Sequence, residues 1–270
     1  MNKKLLSAPF LFWSILFIIV PLLMVFYYGL TDKTGAFTLE NVLAISSPEH
    51  SKALWEAVKL SVLSTIICLL LAYPLAMILC NLGRKKTSFM VLIFILPMWM
   101  NFLLRTFAWL TLLEKTGVIN TLLKLVGLPT LDIINTPAAI VLGMVYNFLP
   151  FMVLPIYNVL VKIDHNVINA ARDLGANSVQ TFAKVILPLS VPGIISGITM
   201  VFVPALTTFI ISTILGGSKI LLIGNVIEQE FTQTGNWHLG SGLSIVLMLF
   251  IIFNMVISAV TDKDGEAQAL

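Results

Sequence analysis

Charge is what this sequence has least of. Of 270 residues, 11% are Asp, Glu, Lys or Arg and 58% are hydrophobic. The mean hydropathy is +0.99. A soluble domain carries about a quarter charged residues, and with less than half of that a globule lacks the hydrated surface that keeps it in water. A soluble enzyme, a disordered chain and a nucleic-acid binder are excluded. Cysteine is almost absent: Cys68 and Cys80 stand alone. On one helix that spacing separates them by roughly 18 Å, whereas a disulfide needs Cα atoms within about 7 Å. The histidines, His50, His165 and His238, lie far apart, so no metal-ligand spacing and no nucleophile–base pair is visible. No metal-binding and no catalytic residues are assigned, and a membrane enzyme has no cluster to rest on.

Long apolar runs are what the chain has instead. They lie at roughly 9–30, 57–80, 89–113, 137–161, 193–215 and 241–261. Each approaches the ~20 residues an α-helix needs to cross the hydrocarbon core. The alternation of a barrel strand is missing. A backbone in lipid must satisfy its own hydrogen bonds, which helices do. The first run is longer than a signal-peptide core and lacks a small-x-small cleavage site, so it reads as a retained helix. No linker or low-complexity tract divides residues 1–270, which read as one transmembrane domain. The expected fold is an all-α polytopic membrane protein with six transmembrane helices. Pro21, Pro74, Pro97, Pro150, Pro155 and Pro204 fall inside these runs, each removing a backbone donor.

Orientation follows from Lys and Arg. With the N-terminus inside, one side carries Lys3, Lys4, Arg84, Lys85, Lys86, Lys162, Arg172, Lys184 and Lys263, and the other Lys33, Lys52, Lys59, Lys115, Lys124 and Lys219. The basic turn Gly83-Arg84-Lys85-Lys86 is the most lopsided. The positive-inside rule therefore puts both termini in the cytoplasm, and the segment between the fourth and fifth runs with them.

That segment, Lys162 to Ile194, is too polar for lipid and too patterned for a plain connector. Asp164 can cap a helix through Val167, Ile168, Ala171 and Leu174, whose spacing makes one apolar face. Gly175 then ends it, because glycine accepts the left-handed conformation. Asn177 or Ser178 can cap a second helix carrying Val179, Phe182, Ala183 and Ile186, closed by Pro188 and Pro192. Two short helices at an angle are expected, with the small Ala170 and Ala171 permitting close approach of a partner.

The stretch NAARDLGANSVQTFAKVILPLSVPGI within it resembles the EAA motif of ABC importer permeases. LPMWMNFLLRTFAWLTLL (96–113), NFLPFMVLPIY (147–157) and LGGSKILLIGNVI (215–227) look like the spermidine/putrescine group of that family. The resemblance implies a type I, MetI-like bundle in the bacterial inner membrane, with the loop at 162–192 as a cytoplasmic coupling helix docking on an ATPase. Asn169, Ala170, Ala171, Asp173, Leu174, Gly175, Ala176, Leu187 and Pro188 occupy the motif positions. Asn169 stands where the motif has Glu, and loss of a charge-assisted contact there would cost roughly 1–2 kcal/mol. The family implies three kinds of protein partner besides lipid: a second similar permease, two ATPase subunits that bind ATP and Mg, and an extracytoplasmic substrate-binding protein. Gly216-Gly217-Ser218-Lys219 lacks the upstream glycine of a phosphate loop and reads as a turn, so this chain carries no cofactor and no ATPase site of its own.

For a polyamine, physics asks for aromatic faces, carbonyls and carboxylates. Trp99, Phe107, Trp109 and Tyr146 supply the first, Asn101 and Asn147 the second, Glu228 and Glu230 the third. Interface anchoring for the aromatics and a solvated face for the glutamates are the plainer readings. Arg105, the one charge well inside a run, suits a structural pair, with a helix C-terminus or with Glu114, better than contact with a cation; the pair with Glu114 requires a bend or a neighbouring chain, because the two are too far apart for one helical turn. Alternatives are the same machinery for an aminophosphonate, thiamine or a metal complex, and a membrane scaffold that transports nothing.

Overall fold

The structure, a computed structural model, describes residues 3–82, 84–217 and 219–268. Gly83 of the basic turn and Ser218 of the Gly-Gly-Ser-Lys turn lie outside these residues, as do the side chains of Lys3, Lys4, Arg84, Lys85, Lys86 and Lys263 that carry much of the charge bias. Among the described residues there is no strand, only an isolated antiparallel bridge between Thr31 and Phe37. In chain order the helices are α1 (Pro9–Gly29), α2 (Pro48–Asn81), α3 (Arg84–Ile95), α4 (Phe102–Leu113), α5 (Val118–Leu125), α6 (Pro137–Leu160), α7 (His165–Asp173), α8 (Ser178–Thr207), α9 (Ile210–Leu215), α10 (Ile223–Thr232) and α11 (Trp237–Gln268). Among them α1, α2, α6, α8 and the Trp237–Ser258 part of α11 are long and apolar enough to cross a membrane.

The second run is longer as a helix than its apolar residues suggest. Ser47 caps α2 and Pro48 takes a first-turn position where its missing N–H costs nothing. The 34 residues of α2 therefore reach about 50 Å, well beyond a hydrocarbon core of about 30 Å. The third run, expected as one helix over 89–113, is broken. Leu92–Trp99 and the helical segment Phe102–Leu125 meet at 97°. Pro97 sits in a single 3-10 turn at Leu96–Trp99, and the Asn101 side chain accepts from the amides of Leu103 and Leu104 at 2.8 and 3.4 Å, starting a new helix. Counted as one span, this bent pair brings the helices of membrane-crossing length and composition to six among the described residues.

The fifth run is displaced. It was expected over 193–215, after a loop helix closed by Pro188 and Pro192. Instead the second loop helix continues without interruption into the span, α8 ending at Thr207, with α9 a separate short helix. The reason is a π-turn at Phe182–Ile186. A proline ring clashes with the carbonyl four residues back; for Pro188 that is Lys184, inside the widened turn, which makes room for the ring. The same device recurs at Ile15–Ile19, two residues before Pro21 in α1.

The packed centre is α2, α6 and α8, with α11 against α8 and the C-terminal part of α1. In lipid, apolar side chains gain little by mutual burial, so close approach of small residues drives association. Ala57, Ser61, Ser64, Cys68, Ala72 and Ala76 form that stripe on α2, and all are fully buried. Ser61 and Thr65 spend their hydroxyls on the carbonyls four residues back. Gly193 of α8 packs on α6: a Cβ there would lie 2.9 Å from the Pro155 carbonyl oxygen and 3.0 Å from Val159. Gly193→Val is accordingly expected to cost about 1–3 kcal/mol, read as a lower thermal midpoint of the detergent-solubilised protein.

Candidate functional site

At the end of the bundle where α6 stops, the chain makes two helices and a tight corner. Asp164 caps α7, its side chain accepting from the Asn166 amide at 2.9 Å. The corner is a Schellman closure. The Ala176 amide reaches back to the Ala171 carbonyl at 3.0 Å and the Gly175 amide to the Arg172 carbonyl at 2.9 Å. Gly175 holds φ +86°, and nothing lies within 4 Å of the Cβ it lacks. Asn177 and Gln180 then exchange side-chain and amide bonds at 2.9 and 3.0 Å, a capping box that opens α8. Every one of these bonds is local, which is why the corner could be read from residue types alone.

The apolar positions do not form the single face the spacing suggested. Ile168, Ala171, Phe182 and Ile186 are half-buried against the bundle, whereas Val167, Leu174, Val179 and Ala183 are exposed. Leu174 is 90% exposed and Val179 74%. The Schellman corner turns Leu174 outward, leaving an apolar knob at the tip. Asn169, Ala170, Asp173 and Gly175 are exposed around it; Ala176 is half-buried, and Leu187 and Pro188 are exposed farther along α8. The corner is held from behind. The Tyr73 ring of α2 meets Phe182 edge-on at 5.6 Å, and its hydroxyl lies 2.7 Å from the Ser190 hydroxyl. Neither Tyr73 nor Ser190 carried a signal in the sequence, since 117 residues separate them.

The residues read as a cation path are brought together only in part. Trp109 and Tyr146 touch edge-on, centroids 5.2 Å apart, joining α4 to α6. Asn147, beside Tyr146, is buried; its amide donates to the Gly143 carbonyl at 2.9 Å and its oxygen has no partner. Asn101 is occupied as the cap of α4, and Trp99 and Phe107 are exposed at 81% and 49%. Glu228 and Glu230 are two positions apart on α10, on different sides of the helix, and each carboxylate accepts from a threonine one turn on, Thr232 at 2.9 Å and Thr234 at 2.8 Å.

Arg105 corrects an expectation. It is buried, its Nε has no partner, and its guanidinium lies 5.9 Å from the Phe102 ring. The ion pairs among the described residues are Lys59–Glu56 and Lys115–Asp132. Glu114 caps the end of the same helix, roughly 13 Å farther along its axis. Asn225 is a residue the sequence reading passed over. Its amide bridges the Phe209 carbonyl and the Thr213 hydroxyl at 3.0 and 2.8 Å, and its oxygen accepts from the Leu222 amide at 3.1 Å, locking the hairpin between α8 and α10.

Residues 62–263 match the family model described as binding-protein-dependent transport system inner membrane component. The chain is 38% identical over 262 residues to the spermidine/putrescine transport system permease protein PotB of Haemophilus influenzae, covering 93% of this chain and 92% of that one. To the PotB protein of Escherichia coli K12 it is 36% identical over 245 residues, covering 88% and 89%. Its fold resembles a chain in the crystal structure of a bacterial ABC transporter involved in the import of the acidic polysaccharide alginate, with TM-score 0.79 at 18% identity and 96% of each chain covered. The fold is that of a type I importer permease.

Proposed function

Because this chain belongs to the family of binding-protein-dependent transport system inner membrane components, a multi-pass membrane permease family, we propose that it is the spermidine/putrescine permease subunit of an ATP-driven importer. The observation that carries the substrate class is the identity to PotB proteins along nine-tenths of the chain. Both termini lie in the cytoplasm, and an ATPase docks on Lys162–Ile194 from that side. Hydrolysis takes place on two such subunits, which hold ATP and Mg; this chain has no ATPase site and contributes only the path. In support, the tip carries an exposed apolar knob, Leu174, on a corner closed by its own short-range hydrogen bonds.

A second, similar permease completes the pore. The apolar window of α1 has none of its residues buried within this chain, and a face of that size suits a protein neighbour as well as lipid. An extracytoplasmic binding protein delivers the solute at the opposite end. Trp109 and Tyr146 are the path residues that meet, and an ammonium group would be drawn to the ring face that their edge-on contact leaves open.

Uptake tests the reading. Liposomes containing the chain, a second permease and an ATPase, supplied with binding protein, should take up labelled spermidine only with internal ATP. Excess putrescine should block that uptake, and an aminophosphonate or thiamine should not. Block by one of the latter would reassign the substrate class. Absence of any ATP-dependent uptake would favour the scaffold.

A further inference from the structure

We infer that Tyr73 is a positioning residue that ties the coupling corner to the second span, and that its hydroxyl makes ATP hydrolysis answer to transport. This rests on the proposed docking of an ATPase at the corner.

Two helices meet at Tyr73, and each is weakened there. In α2 the next residue is Pro74, which has no N–H for the Leu70 carbonyl. In α8 the π-turn Phe182–Ile186 is followed by Pro188, so the rod between corner and span contains its softest turn. A push on the corner would be spent in bending that turn before it reached the fifth span. Tyr73 bypasses it. Its ring contacts Phe182, where the π-turn begins, and its hydroxyl contacts Ser190, beyond where the turn ends.

The direction of the bond follows from donors. The Ser190 hydroxyl has one proton and lies 2.9 Å from the Leu187 carbonyl, which can only accept. The Ser190 oxygen is thereby left to accept from the Tyr73 O–H. The chain Tyr73–Ser190–Leu187 pins the far side of the soft turn, with Tyr73 8% exposed and Ser190 fully buried. Water does not compete for these groups, so the tie holds two prolines' worth of flexible backbone in register. Displacement of the corner then reaches α2 directly, and α2 is packed along α6.

The test uses the whole assembled complex in liposomes. Tyr73→Phe keeps the ring against Phe182 and removes the hydroxyl. Assembly and basal ATP hydrolysis should match wild type, while spermidine taken up per ATP hydrolysed should fall about two- to tenfold, the factor one net hydrogen bond is worth. Ser190→Ala should do the same and carries the test if Tyr73→Phe assembles poorly. The double variant should be no worse than Ser190→Ala alone, because that change already removes the bond that Tyr73→Phe removes, together with the one to the Leu187 carbonyl. A wild-type uptake-to-hydrolysis ratio in both single variants overturns the tie, as does a double variant whose loss is the product of the two. A wild-type complex with no ATP-dependent uptake would instead overturn the proposed function, and this inference with it.

Discussion

Gly175→Val should reduce uptake at least tenfold while the protein still reaches the membrane in normal amount. At φ +86° an L-residue pays for the clash of its Cβ with its own backbone. That penalty is roughly 1–2 kcal/mol for an ordinary side chain and larger for a β-branched one. Valine escapes by rotating φ, which opens the two bonds that close α7 and swings Leu174 and Asn177 away from each other. About 1.4 kcal/mol is a factor of ten in any equilibrium the corner takes part in. No atom lies within 4 Å of the added Cβ, so the effect is backbone strain rather than collision. A graded series follows: Asn, which tolerates the left-handed region, should retain most uptake, Ala less, Val least. Uptake that ignored this order, measured at equal membrane levels, would remove the corner from the mechanism.

Leu174→Ala should weaken docking of the ATPase by about 10- to 150-fold, the factor that corresponds to burying one leucine at about 1.5–3 kcal/mol. In the isolated chain Leu174 is 90% exposed and contributes almost nothing to folding, so stability of the permease should not change. That separation makes the variant informative. A binding titration of purified ATPase against the solubilised permease pair reads the affinity, and a thermal melt of the same sample reads the fold. Leu174→Asp should be worse than Ala, because it carries an unpaired charge into an apolar groove. Equal affinity for wild type and Leu174→Asp would mean that the ATPase docks elsewhere or not at all.

The corner was legible before the fold was known because its determinants are local. A capping aspartate at 164, a glycine at 175 and the Asn177/Gln180 pair act within one turn of themselves. The same locality explains what was misjudged. Pro188 and Pro192 read as terminators, yet the turn before Pro188 widens to take its ring, and Pro192 is carried inside the helix that follows. The 97° break after Trp99 had a local signal in Asn101, a good cap, but a proline inside an apolar run is compatible with both a kink and a break. For Arg105 the sequence leaves a pair with Glu114 across a bend, a neighbouring chain or a helix C-terminus open, and it forms no ion pair among the described residues.

Composition and run length determined by themselves that this chain lives in a bilayer as helices, because scarce charge and apolar runs near the length of a hydrocarbon core leave a backbone no other way to satisfy its hydrogen bonds. Short-range capping chemistry likewise determined the corner at Gly175. Only the tertiary structure decided which faces of that corner are free, where the third and fifth crossings break, and that Tyr73 grips Ser190. Those outcomes depend on contacts between residues distant in the chain, such as the 117 positions between these two, and on how the turn before a proline adjusts to its ring, which residue types alone leave open.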